Sequence, residues 1–173
     1  MRVAVSGTPG TGKTTACRAL ARQNYHVVDL SELATRSGLV EPPKEPGASG
    51  LVDISRISQL ELPAGDLVFF HSHFAHLLHA DTVVVLRCSP KVLRSRLRAR
   101  GWGEEKIREN LEAEAIDLIT VEALENCKKV FEVDTTSIDI EETARQIIEI
   151  VRGAVAGHEP GRIDWSEEIL SWY

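Results

Sequence analysis

Gly7-Thr8-Pro9-Gly10-Thr11-Gly12-Lys13-Thr14-Thr15 begins where the apolar run Val3-Ala4-Val5 ends, and it fits the pattern G-x-x-x-x-G-K-[ST]. The glycines let backbone N–H groups turn inward around a phosphate chain, an approach that side chains would obstruct. Lys13 can reach the outer phosphates, and the Thr14 hydroxyl can ligate a magnesium ion. The helix expected to follow aims its positive N-terminal end at the same anion. A site for a nucleoside triphosphate follows.

Outward from this loop the chain alternates two kinds of segment. Five short apolar runs read as strands: Arg2–Ser6, His26–Leu30, Leu67–His71, Thr82–Arg87 and Val130–Asp134. They are continuous rather than alternating, as expected of a parallel sheet covered on both faces. Helical patterns lie between and after them, at Lys13–Arg22, Lys91–Arg100, about Glu104–Cys127 and Asp139–Val155. In the last, Asp139 and Glu142 have capping-box spacing, and Ile140, Ile147, Ile148 and Val151 recur helically. The expected architecture is a doubly wound α/β sandwich around a five-stranded parallel sheet. Ligands of such sheets gather beyond the carboxyl ends of the strands. Those ends carry the Gly-rich loop, Asp29, His71 to His73, Arg87 and Asp134.

The 173 residues suit one domain with a substantial core. With 43 % hydrophobic and 27 % charged residues, the composition is that of a soluble globular protein. No stretch approaches the length of a membrane span, and the strand starting at Arg2 leaves no room for a signal peptide. Cys17, Cys88 and Cys127 are far apart and form no C-x-x-C pair, which suits thiols in a reducing cytoplasm. The net charge of -6 is uneven. Arg87 to Arg108 carries a net +6, which leaves -12 on the rest. Such an acidic chain is a poor general nucleic-acid binder, and the basic stretch reads as a patch facing bound phosphates.

Two segments interrupt the rhythm. Residues Ser31 to about Asp53 contain Glu41-Pro42-Pro43-Lys44-Glu45-Pro46-Gly47 and cannot form one regular helix. They form either a substrate-covering insertion or a solvated loop. Ala99-Arg100-Gly101-Trp102-Gly103 breaks two helices at the end of the basic stretch, where glycines allow a hinge or lid tip. The tail Gly157–Tyr173 carries Trp165, Trp172 and Tyr173, aromatics expected to pack on the domain or on a partner.

These motifs resemble a known family. The loop Gly7–Thr15, the segment His71-Ser72-His73, the stretch Arg96 to Trp102, Glu109-Asn110-Leu111-Glu112-Ala113-Glu114 and Ile163-Asp164-Trp165-Ser166 are similar to those of the small adenylate kinases of the isoenzyme-six class, in a compact archaeal form. The resemblance covers nearly the whole chain and implies a P-loop NTPase fold. It further implies a broad nucleoside monophosphate (NMP) kinase using ATP with Mg2+, with ATPase activity besides. It also implies a role in late maturation of the small ribosomal subunit, through a platform protein of the 30S pre-ribosome. By position, about 28–51 is the NMP-binding insertion and about 98–108 the short lid. The resemblance also implies that Gly10, Gly12, Lys13, Thr14 and Thr15 bind the triphosphate and that Arg100 contacts ATP, and His73 matches the histidine of a D-x-H-like motif.

One departure concerns the metal. The strand that would end in an acidic residue ends in His71, and imidazole is a poor magnesium ligand. Either Thr14, phosphates and water suffice, or a carboxylate such as Asp29 or Asp53 substitutes. On the helix before the lid, Arg94 and Arg98 share one face and Arg96 and Arg100 another, so only one pair can meet the nucleotide. His71, His73, His76 and His79 invite a metal-site reading, weighed against polar groups lining the cleft. His73 could position a water or a substrate phosphate. Asp29 either faces the monophosphate or caps a helix. Glu112, Glu114 and Asp117 read as a solvated helix face, and Trp102 as either a base-stacking or a lid-packing residue. Three functions compete: an NMP kinase, a ribosome-assembly ATPase with secondary kinase activity, and a P-loop kinase of a small metabolite.

Overall fold

A computed structural model describes residues 1–41 and 51–170. The five expected strands form one parallel sheet: β1 Arg2–Ser6, β2 His26–Asp29, β5 Val68–His71, β6 Thr82–Arg87 and β7 Val130–Asp134. Their order is β2-β5-β1-β6-β7. Two short strands, β3 Val40–Glu41 and β4 Leu51–Val52, pair antiparallel beside it. The helices are α1 Lys13–Arg22, α2 Leu30–Arg36, α3 Pro90–Ala99, α4 Glu104–Ala115, α5 Leu118–Asn126, α6 Ile140–Val151 and α7 Ser166–Leu170.

Both faces of the sheet are covered, which is why its strands are apolar throughout. Val3, Val5, Phe69, Val84 and Leu86 pack against Ala16 and Leu20 of α1 and Ala144 and Ile147 of α6. The alternate residues Ala4, Phe70, Val83 and Val85 face Leu30, Leu39, Phe74 and Ala123. A smaller cluster, Leu93, Leu97, Ile107 and Leu111, joins α3 to α4.

The helix expected over Glu104–Cys127 is two helices. Asp117 adopts a left-handed conformation, φ 57°, and redirects the chain between α4 and α5. Helix α6 stops at Val151 and not at Val155, because Gly153 turns with φ 98°. Its start is as read: Asp139 caps it by accepting from the Glu142 N–H at 2.8 Å. The ends of the insertion carry α2, β3 and β4, and a 3₁₀ turn over Ile54–Gln59 follows it. The Pro-rich middle, residues 42–50, lies outside the described residues, as do Trp172 and Tyr173. Trp165 is half-buried. Among the described residues no helix is long and apolar enough to cross a membrane.

Candidate active site

The Gly-rich loop leaves the end of β1 and enters α1 at Lys13. Gly7, at φ 138°, lies so close to β6 that a Cβ there would stand 2.3 Å from the Leu86 carbonyl oxygen. Gly10, at φ 97°, abuts Leu93 and Leu97 of α3. Both positions need a residue with no side chain and a left-handed backbone. Thr11 closes the loop, its N–H and hydroxyl both donating to the Thr8 carbonyl, at 3.2 and 2.9 Å. The Lys13 ammonium curls into the loop and donates to the Gly7 and Thr8 carbonyls at 2.6 and 2.9 Å. Burial pushes the Lys13 pKa down to about 7, with the Glu114 carboxylate opposing and Arg100 reinforcing that shift.

A cleft of about 170 Å³ opens over this loop, lined by Lys13, Thr14, Asp29, His71, His73 and Arg100 among others. It shares Gly10, Gly12 and Arg100 with a larger cavity of about 450 Å³, which Thr15, Arg96, Thr135 and Ile140 also line. Gly10, Gly12, Lys13, Thr14, Thr15, His73 and Arg100 therefore all line one or both of two adjoining cavities. The larger cavity, with its mixed apolar and polar wall, suits a nucleoside beside a phosphate track. Thr135 and Ile140 carry no signature that sequence reading could have used.

The two arginine faces separate as the helical period requires. Arg96 and Arg100 line the larger cavity, and Arg96 is steadied there by the Thr135 carbonyl at 2.6 Å. Arg98 pairs with Glu104 at 2.7 Å, and Arg94 faces a separate cavity with Glu104 and Arg108. Trp102 packs beside the α3–α4 cluster, with the Lys106 ammonium 4.2 Å from its ring centre.

Asp29 caps a helix, one of the two roles weighed for it, and it lines the cleft. One carboxylate oxygen caps α2, accepting from the N–H groups of Ser31 and Glu32 at 2.9 and 3.2 Å. The other lies 3.8 Å from His71 Nε2. Strand pairing explains the meeting, since Asp29 of β2 stands opposite His71 of β5. Asp53 instead accepts from the Ser55 N–H at 3.1 Å, at the start of the 3₁₀ turn. Thr14, Asp29 and Ser31 thus supply oxygen donors beside the phosphate track, a set that fits magnesium. Burial holds His71 and His73 below the usual histidine pKa, so both are neutral near pH 7.

Of the other histidines, His76 is turned out of the cleft. It is buried between the Ser6 hydroxyl at 2.8 Å and the Glu122 carboxylate at 2.9 Å. Substituting His71→Asp places a second carboxylate beside Asp29. The Mg2+ concentration for half-maximal ATP binding, titrated by calorimetry, is expected to fall about tenfold. An unchanged magnesium requirement would show that His71 does not limit the metal.

Two readings need correction. Glu114 and Asp117 are not a solvated face, and Arg87 does not face bound phosphates. Arg87, 1 % exposed, donates through Nε to Glu114 at 2.7 Å and through its terminal nitrogens to Glu132, Asp117 and the Glu114 carbonyl. Glu114 and Glu132 are each 2 % exposed. The signal for this cluster was Glu132 itself, a charge in the middle of an apolar strand, which requires a buried partner.

The AAA domain family matches residues 3–117. A protein of Archaeoglobus fulgidus named "Putative adenylate kinase" is 40 % identical over 172 residues, covering 98 % of this chain and 94 % of that protein. Its namesake in Thermococcus kodakarensis is 43 % identical over 168 residues, covering 96 % and 94 %. Shikimate kinase from Acinetobacter baumannii shares the fold, with a TM-score of 0.55 at 17 % identity over 90 % of this chain and 94 % of that one.

Proposed function

The chain belongs to the family of these archaeal adenylate kinases, within the AAA domain family, and on that premise we propose that it transfers the ATP γ-phosphoryl group to AMP or another NMP. The observation that carries this reading is the convergence of Lys13, Thr14, Asp29, His73 and Arg100 on one cleft. Phosphoryl transfer asks the protein for in-line positioning, charge neutralisation and exclusion of water. An α-phosphate oxygen of the monophosphate attacks the γ-phosphorus, the bond to the β-phosphate oxygen breaks, and two diphosphates leave. Lys13 neutralises the outer phosphates, and Arg96 and Arg100 reach the donor from α3. Neutral His73, on the segment after β5, orients the attacking oxygen. Thr14 with Asp29 would hold magnesium bound with ATP, which would supply further neutralisation of the phosphates. With water in place of the monophosphate, the same groups support ATP hydrolysis.

A second reading, a ribosome-assembly ATPase acting on a small-subunit platform protein of the 30S pre-ribosome, draws support from two surface features. The chain outside Arg87 to Arg108 is strongly acidic. Ile116, Leu118, Val121 and Leu124 stand exposed along α5 and the turn before it. Both would suit a basic protein partner. The two readings are separated by measuring ADP formation with each monophosphate and with such a partner. ADP formation is expected to rise at least about tenfold when AMP or another monophosphate is added. Hydrolysis indifferent to every monophosphate but stimulated by the ribosomal protein would overturn the kinase as the main activity.

A further inference from the structure

We propose that Glu114, at the far end of α4, is a positioning residue for the phosphate-binding loop, acting through Thr8. The inference rests on ATP being the bound donor and is indifferent to the acceptor.

Glu114 Oε2 accepts the Thr8 hydroxyl proton at 2.5 Å. Its Oε1 accepts from Arg87 Nε at 2.7 Å and from the Cys88 N–H at 3.1 Å. Three donors, one of them a guanidinium, converge on this buried carboxylate. Thr8 in turn is the hub of the loop. Its carbonyl receives the Thr11 N–H, the Thr11 hydroxyl and the Lys13 ammonium. Two consecutive hydrogen bonds therefore join Glu114 to the ammonium that meets the triphosphate.

The direction of the helix gives this link its consequence. Helix α4 starts beside the lid, where Glu104 pairs with Arg98. It ends under the loop, where Glu114 grips Thr8. The element carrying the lid's far side thus also holds the Gly7–Thr8 carbonyls to which Lys13 is tethered. A stabilising role alone would need only the pairing with Arg87. The hydroxyl bond to Thr8 fixes one of the two loop residues whose carbonyls anchor Lys13, and small errors in such placement are costly to transfer.

The test compares Thr8→Val, Thr8→Ser, Glu114→Gln and the Thr8→Val/Glu114→Gln double variant, with ATP affinity by calorimetry and single-turnover ADP formation on folded protein. Thr8→Val leaves the Arg87 pairing intact, so it reports on the loop even if Glu114→Gln folds poorly. Thr8→Val is expected to lower the single-turnover rate about tenfold or more and to weaken ATP binding, without raising KM for the monophosphate. Thr8→Ser restores both, and the double variant is no worse than the more impaired single one. Parental ATP affinity and rate in Thr8→Val, or single effects that multiply in the double variant, would overturn the proposal. If no monophosphate accepts phosphate from the parent protein, the functional reading fails, while ATP affinity still decides the role of Glu114.

Discussion

Lys13→Ala is expected to reduce ATP turnover about a thousandfold or more, whichever acceptor takes the phosphoryl group. The expectation follows from where the ammonium sits. It is buried against the Gly7 and Thr8 carbonyls at the mouth of α1. Among the described residues no other lysine lines the cleft, which Arg100 also lines. Burial brings the Lys13 pKa down to about 7, whereas the triphosphate's negative charge favours the protonated form. Binding of ATP is therefore expected to take up a proton above pH 7, and ATP affinity to weaken as pH rises through that range. The sign is fixed by linkage: the bound state holds the proton that the free state releases. Calorimetry in buffers of different ionisation enthalpy reads the uptake directly. Lys13→Ala loses both the turnover and the proton uptake. Near-parental turnover would remove the loop from the chemistry, and proton-neutral binding at pH 8 would remove the depressed lysine.

The sheet was legible in the sequence because burial on both faces makes each of its strands a continuous apolar run. The loop at Gly7–Thr15 was legible because close backbone approach restricts which residues fit. The place of the loop beyond β1 followed from these two, since β1 must run into the loop and the loop into α1. What escaped depends on neighbours distant along the chain. Asp29 meets His71 only because β2 pairs with β5, and strand order is not written in local spacing. The helical period divided the four arginines into two faces but could not choose between them. The choice comes from Thr135, on the loop after β7, whose carbonyl takes Arg96. The break at Asp117 was hidden because a left-handed aspartate has no sequence signature comparable to glycine's. Its carboxylate is instead committed to Arg87, thirty residues earlier. A periodic run from Glu104 to Cys127 could not reveal that commitment.

Arg87→Met is expected to destabilise the protein by about 3–5 kcal/mol, a large share of the roughly 5–15 kcal/mol available to a domain of this kind. Burial works against the Arg87 charge, but Glu114, Glu132 and Asp117 outweigh it and hold the guanidinium above its ordinary pKa. Without it, Glu114 keeps the Thr8 hydroxyl and the Cys88 N–H, and Glu132 keeps the Thr120 hydroxyl and the Gly161 N–H. Two buried carboxylates would then lie without a counter-cation, and their unmet charge accounts for most of the expected loss. The cost therefore belongs to the survivors as much as to the missing arginine. Adding Glu114→Gln and Glu132→Gln to Arg87→Met should recover most of it, because neutral amides tolerate the same burial far better. Urea unfolding of the single and triple variants separates the accounts. A triple variant as unstable as Arg87→Met would mean that packing of the long side chain dominates, not charge. Recovery would show that the cluster joining α4, β6, β7 and the tail at Gly161 is electrostatically interdependent. Because Glu114 also grips Thr8, the triple variant should regain stability without regaining the transfer rate.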